Sequence, residues 1–243
     1  MPRSKNGCAQ THACSATQRR LLEKTVSGKR FTRYYQDNRF RAAIDEQFAK
    51  ADAIVQDGIW IIYAIHDPSK ADEIGNEEDG PIIYVGLTKR FSKRIRQRMT
   101  AAGTATTRPQ DYVEGMCYDL MRRGHVPRFS IRAYEASALD GLVTETNTAN
   151  AALAAGYRVL NRLAEQKSGG PAITRSQVPH TWLWPLSVSD AIGSRIELIV
   201  IDPESKRQTT ADLRSFPSKM RLAEIRSALK GRNLSSRLYV SES

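Results

Sequence analysis

Between residues 59 and 99 the apolar pattern changes its period, and no other stretch constrains the fold as much. Two short runs, Ile59–Ile65 and Pro81–Val85, are rich in Ile, Val, Tyr and Trp, side chains that fit a pleated sheet. The polar, Gly-containing SKADEIGNEEDG between them reads as a long hairpin connection. After Gly86 the spacing becomes helical. Phe91, Ile95 and Met99 fall at i, i+4 and i+8, and Arg90, Arg94 and Arg98 form a parallel basic row.

The flanks extend this unit. Gln110 to Arg123 predicts a helix with Val113, Met116, Cys117, Leu120 and Met121 as its apolar side, ended by Gly124. PRFSIRAYE alternates apolar and polar, as a half-buried third strand does. Ser137 caps an expected helix from Ala138 to about Ala155. Its TETNTAN stretch is poor in helix formers, so a site or an exposed polar face must account for those residues. The expected class is α/β (α+β), a small central antiparallel three-stranded sheet flanked by helices. Residues 1–57 are expected to form a helical, basic N-terminal extension, and residues 58–165 the core. Residues 166–243 are expected to form a linker and a small β-α C-terminal appendage with possible DNA contact. Within that appendage RIELIVID is the strand, and Leu222, Ile225 and Leu229 mark a basic amphipathic helix.

The ordered set Ile62-Tyr63, Tyr84-Val85-Gly86, Arg94, Glu145 and Leu160-Asn161 resembles a GIY-YIG nuclease domain over roughly residues 58–161. Gly58-Ile59-Trp60 is an alternative for the first motif. Tyr63 is preferred because IIYAIHD reproduces the apolar residue two beyond the Tyr, and Trp60 has no phenolic proton to exchange. The resemblance implies a phosphodiester-cutting site in which Tyr63, Tyr84, Arg94 and Glu145 are catalytic. Glu145 would bind the metal, Mg²⁺ or Mn²⁺. Gly86, Lys89, Arg90, Arg98 and Asn161 would contact substrate. Tyr63 is the first candidate for the base and Tyr84 the next. Many relatives carry a titratable residue four places after the helix Arg. Here that position is Arg98, which stays protonated and cannot be a base, so it is expected to add a second phosphate contact. His66, at the strand end, is a possible substitute base.

The residue chemistry suits such a reaction. Cutting a phosphodiester needs an activated water, neutralisation of the phosphorane charge and help for the leaving oxygen. A carboxylate is a hard ligand for Mg²⁺ or Mn²⁺, and a guanidinium matches phosphate oxygens bidentately. A phenol with a free pKa of about 10 is a poor base unless nearby cations lower it. The chain has 37 Lys and Arg against 26 Asp and Glu, net +11, which favours a polyanionic partner. Arg30, Arg33, Tyr34, Tyr35, Arg39 and Arg41 mix basic and aromatic side chains in a further expected helix, as nucleic-acid contact or helix packing would require.

Other clusters point less clearly. Cys8, His12 and Cys14 lack a fourth ligand at zinc spacing. The acids of the hairpin loop lack the alternation of a calcium loop. Three unevenly spaced Cys, no apolar leader and no apolar run of membrane length fit a cytoplasmic protein without a membrane partner. The expected function is a metal-dependent DNA endonuclease, first of all a sequence-specific type II restriction enzyme acting on double-stranded DNA. A palindromic site would call for a homodimer. Repair, mobile-element and toxin-type nucleases of the same family are alternatives, as is a non-catalytic DNA-binding protein on this scaffold.

Overall fold

A computed structural model describes residues 38–54, 58–72, 79–105, 107–159, 161 and 170–240. Residues 1–37, with the Cys8–His12–Cys14 cluster and Arg30, Arg33, Tyr34 and Tyr35, lie outside the described residues, as do Glu73, Glu77 and Glu78 of the hairpin loop and Leu160. Helix α1 (Asn38–Asp52) precedes strand β1 (Trp60–His66) and strand β2 (Ile82–Thr88). Helices α2 (Phe91–Thr104) and α3 (Tyr112–Arg122), strand β3 (Arg128–Glu135) and helix α4 (Ala138–Ala154) follow. Beyond them come two short helices, α5 (His180–Leu183) and α6 (Val188–Gly193), then strands β4 (Ile196–Ile201) and β5 (Gln208–Ala211), helix α7 (Leu222–Lys230) and strand β6 (Ser235–Val240). The architecture is mixed α and β, with two antiparallel three-stranded sheets ordered β2-β1-β3 and β5-β4-β6.

The first sheet is buried on both faces. Alternation along β1 sends Ile61, Tyr63 and Ile65 to one side, where they meet Ile44 and Phe48 of α1, Ile95 and Met99 of α2, and Cys117 and Met121 of α3. Ile62 and Ala64 point the other way, onto Ala149 and Ala152 of α4. Burial on both faces explains why β1 reads as a continuous apolar run rather than an alternating one. Strand β2 runs past Gly86 to Thr88, because Leu87 and Thr88 continue the ladder opposite Ile62 and Ile61. The helical period therefore begins at Phe91 and not directly after the glycine. Asp111 caps α3 by accepting from the backbone N–H groups of Val113 and Glu114, at 3.0 and 3.1 Å. Cys117 is a buried free thiol within the first core.

The C-terminal part holds more strand than the expected β-α appendage. Strands β5 and β6 are short and polar on one side, so neither shows an apolar run in the sequence. Their inner residues Ala211 and Leu238 flank Leu198, and α7 covers them with Leu222 and Ile225. Leu139 of α4 belongs to this same core, so α4 serves both sheets.

The segment expected as a linker is docked where it is described. Asn147 on α4 accepts from the Ile173 N–H at 2.7 Å and donates to its carbonyl at 3.1 Å. Asn150 donates to the Pro171 carbonyl, and Arg175 reaches Asp140 and the Ser194 carbonyl. These partners account for Asn147 and Asn150 of TETNTAN, while Thr144 donates to Glu135 and Thr146 to the Leu142 carbonyl. Asn147→Ala would leave the Ile173 backbone unpaired. It should cost about 1–3 kcal/mol of unfolding free energy in a urea titration and hasten proteolysis near residue 173.

Candidate active site

Tyr63 stands on β1 directly opposite Gly86 on β2. A Cβ at position 86 would lie 2.6 Å from Tyr63 Cζ and 2.7 Å from its Oη. Glycine is thus needed so that the phenol ring can lie across the neighbouring strand, which corrects the expectation that it admits the substrate backbone. The pairing of β1 with β3 shifts register between Ile62 and Tyr63, leaving Arg132 as the extra residue of a bulge beside this ring. The Tyr63 ring centroid is 6.3 Å from that of Tyr84 and 5.6 Å, edge-on, from that of Phe91. Trp60, the alternative first aromatic, lies at the start of β1 beneath the Lys89 ammonium, 4.8 Å from it.

The two phenols differ in access. Tyr63 is only 2% exposed, whereas Tyr84 is half-buried. Burial pushes the Tyr63 phenol well above its ordinary pKa; Tyr84 adds to that rise, while Arg98 and Arg94 oppose it. Tyr84 is pushed up to about 12, by burial first and by Glu145 second, again opposed by Arg98 and Arg94. Arg94 and Glu145 thus each act electrostatically on both phenols, although they stand 51 positions apart in the chain.

Glu145 sits midway along α4. Burial raises its carboxyl from an ordinary 4.5 to about 8. Among the described residues no Lys or Arg makes an ion pair with it to offset that burial. Nor do the described residues gather three or more His, Cys, Asp or Glu into a metal-holding group. A cation at this carboxylate would therefore draw its remaining ligands from water or from a bound phosphate.

The basic row divides into three environments. Arg90 caps α2 from an exposed position, and Arg94, half-buried, lies one turn on. Together with Trp60, Lys89 and Lys93 they line a cleft of about 420 Å³. Lys93 was not singled out by the sequence reading, yet it completes this cluster. Lys89 is also held by Asp190 at 2.5 Å, a partner 101 residues away with no local signal.

Arg98 differs from the expected phosphate contact. Only 9% exposed, it pairs with Asp111 and with Glu114, the latter at 3.5 Å. A guanidinium spent on two carboxylates beneath the phenols acts as a fixed charge behind the site. Asn161 is corrected in the same way. Its Oδ1 accepts from the Val85 N–H and its Nδ2 donates to the Val85 carbonyl, both at 2.8 Å. It thus satisfies the open edge of β2 and steadies the strand between Tyr84 and Gly86. His66 is not poised as a base: Nδ1 is 2.8 Å from the Gly80 carbonyl and Nε2 is 2.7 Å from Ser130 Oγ.

Comparisons with family models, curated proteins and solved structures return no match.

The raised Glu145 pKa carries a signed consequence. In cation-free protein the folded chain keeps a proton that the unfolded chain releases above about 4.5, so stability should fall as pH rises from there toward 8. Glu145→Gln should flatten this decline. Melting temperatures of both proteins between pH 5 and 8 check it; equal slopes would contradict it.

Proposed function

We propose that this chain is a divalent-metal-dependent endonuclease that hydrolyses phosphodiester bonds of double-stranded DNA, of the GIY-YIG kind. Within that class a sequence-specific type II restriction enzyme is the reading adopted. The observation that carries the proposal is that the half-buried carboxylate Glu145 and Arg94, which lines a basic cleft, both act on the same two phenols.

The donor set fits Mg²⁺ or Mn²⁺. Glu145 would be the protein ligand, and a divalent ion would displace the proton that its raised pKa retains in cation-free protein. When bound, the ion supplies Lewis-acid stabilisation to the phosphate. The chain's own residues do the rest. Lys89, Arg90 and Lys93 draw in the backbone and hold it along the cleft. Arg94 meets the non-bridging oxygens with a planar, permanently charged donor face, which matters most as charge builds on phosphorus.

Of the two phenols, Tyr84 is the better placed to touch the attacking water, because Tyr63 is closed in by Phe91 and Gly86. With a pKa near 12 it is protonated at neutral pH, so it orients the water by a hydrogen bond. Arg98, pinned by Asp111 and Glu114, lowers the cost of any negative charge on either phenol. Tyr63 supports Tyr84 from behind. Water attacks phosphorus and releases a proton to solvent, one ester P–O bond breaks, and the leaving oxygen takes a proton from solvent.

Incubation with supercoiled plasmid and Mg²⁺ tests this. Wild type should give nicked, linear or discretely cut DNA. Glu145→Ala should give none while still retarding DNA in a gel, and Arg94→Ala should slow cutting by about 10²–10³-fold. Tyr84→Phe should cost more than Tyr63→Phe. Plasmid left intact by wild type, or cut equally by Glu145→Ala, would overturn the proposal.

A further inference from the structure

The C-terminal sheet has one face packed and one face open. Directly paired residues of an antiparallel ladder share a face. Leu198, Ala211 and Leu238 therefore lie together on the side covered by α7, while Ile199, Thr210 and Arg237 lie together on the other. The same register adds Gln208 opposite Ile201 and Tyr239 opposite Glu197 to the open side. Gln208, Thr210, Arg237 and Tyr239 are all exposed, Tyr239 at 57%. Arg237 donates to the Gln208 side chain at 2.8 Å, across the central strand. A cleft of about 580 Å³ opens beside β5 and is lined by Arg195, Glu197, Thr210 and Arg214 among others.

Arg, Gln and Thr are the side chains that read hydrogen-bonding edges of bases, and Glu197 is an acceptor for the cytosine amino group. The axes of the outer strands β5 and β6 are roughly 10 Å apart, and Arg237 and Gln208 converge over the strand between them, within the width of a duplex major groove. Residues 170–240 contain eleven Lys and Arg against six Asp and Glu, a net +5 by subtraction, and on the open side and its rim Arg195, Arg214 and Arg237 outnumber Glu197 and Asp212. Tyr239 is the single aromatic on the three strands, which favours duplex over the stacked bases of a single strand.

The sheet is also fastened to the cleft-bearing part of the chain. The Lys89–Asp190 and Arg175–Asp140 pairs and the Leu139 N–H bond to Ser194 Oγ join the two. We propose that the open face of β5-β4-β6 is a duplex-DNA reading surface, with Arg237 and Gln208 on base edges in the major groove and Arg195 and Arg214 on flanking phosphates. The proposal rests on the nuclease reading only for its consequence, since it assigns the specificity of that same enzyme to this sheet.

The test separates the two by measuring binding alone. In a Glu145→Gln background, sequences retained from a pool of random 30-base-pair duplexes are selected and read, and affinity is followed by fluorescence anisotropy at fixed salt. The parent protein should enrich a short motif. Arg237→Ala and Gln208→Ala should each weaken the enriched duplex by about 5- to 100-fold and relax the motif, with little effect on an unrelated duplex. Arg195→Ala and Arg214→Ala should weaken both duplexes alike and reduce the salt dependence of binding. Arg237→Lys, which keeps the charge but loses the planar fork, should relax the motif too. Unchanged motif and affinity in Arg237→Ala and Gln208→Ala, or loss of the motif only on substitution of Arg90 or Lys93, would overturn the reading surface. A shift from dimer to monomer in Arg237→Ala without loss of binding would overturn it as well, by making the face a contact between copies. None of these outcomes depends on whether the chain cuts DNA.

Discussion

Helix α4 is gripped on both flanks, and the placement of Glu145 depends on that grip. Ala149 and Ala152 press on the first sheet, and Leu139 enters the core of the second. Gly141 lets Leu87 of β2 come within 2.8 Å of where a Cβ would be. Between those anchors run Thr, Asn and Glu residues that favour a helix weakly when isolated. Their side chains compensate through tertiary bonds: Thr144 to Glu135, Asn147 to Ile173, Asn150 to Pro171. A helix assembled in this way cannot slide or rotate without breaking contacts on two sides, so its carboxylate is delivered to the phenols with a fixed approach.

Electrostatics then sorts residues that look alike. Arg90, Arg94 and Arg98 are one helical row, yet each meets a different environment. Arg90 faces water, Arg94 lines the cleft and Arg98 is tied down between Asp111 and Glu114. A buried guanidinium needs carboxylate partners, and two are supplied by the cap and first turn of α3. Glu145 is the opposite case, a half-buried carboxylate with which no Lys or Arg among the described residues makes an ion pair. That contrast makes Glu145, rather than any of the more numerous exposed acids, the place where an external positive charge gains most.

Much of this was legible beforehand, for identifiable reasons. The strand runs at Trp60 and Ile82, the helix marked by Phe91, Ile95 and Met99, and the capped helix after Ser137 each carry a local period or cap. Tyr63, Tyr84, Arg94 and Glu145 were picked out by a resemblance in residue order, which local periodicity alone does not reveal; the structure adds that Arg94 and Glu145 both act on the two phenols. What escaped the sequence depends on distant partners. Arg98 becomes structural because Asp111 is brought beside it, Asn161 because β2 is an edge strand, and Gly86 because Tyr63 needs its space. Strands β5 and β6 escaped because their open faces are polar. Among the described residues no helix is long and apolar enough to cross a membrane.

The account turns on one claim, that the Glu145 carboxylate is the seat of a divalent ion beside Tyr84 and Arg94. Anomalous scattering from crystals soaked in Mn²⁺ at pH 8, close to the carboxyl's raised pKa, tests it most directly. The account predicts one anomalous peak in coordination distance of the Glu145 carboxylate, lost in Glu145→Gln. A peak that persists in that variant, or an ion bound only at other acids while Glu145 stays bare, would contradict it.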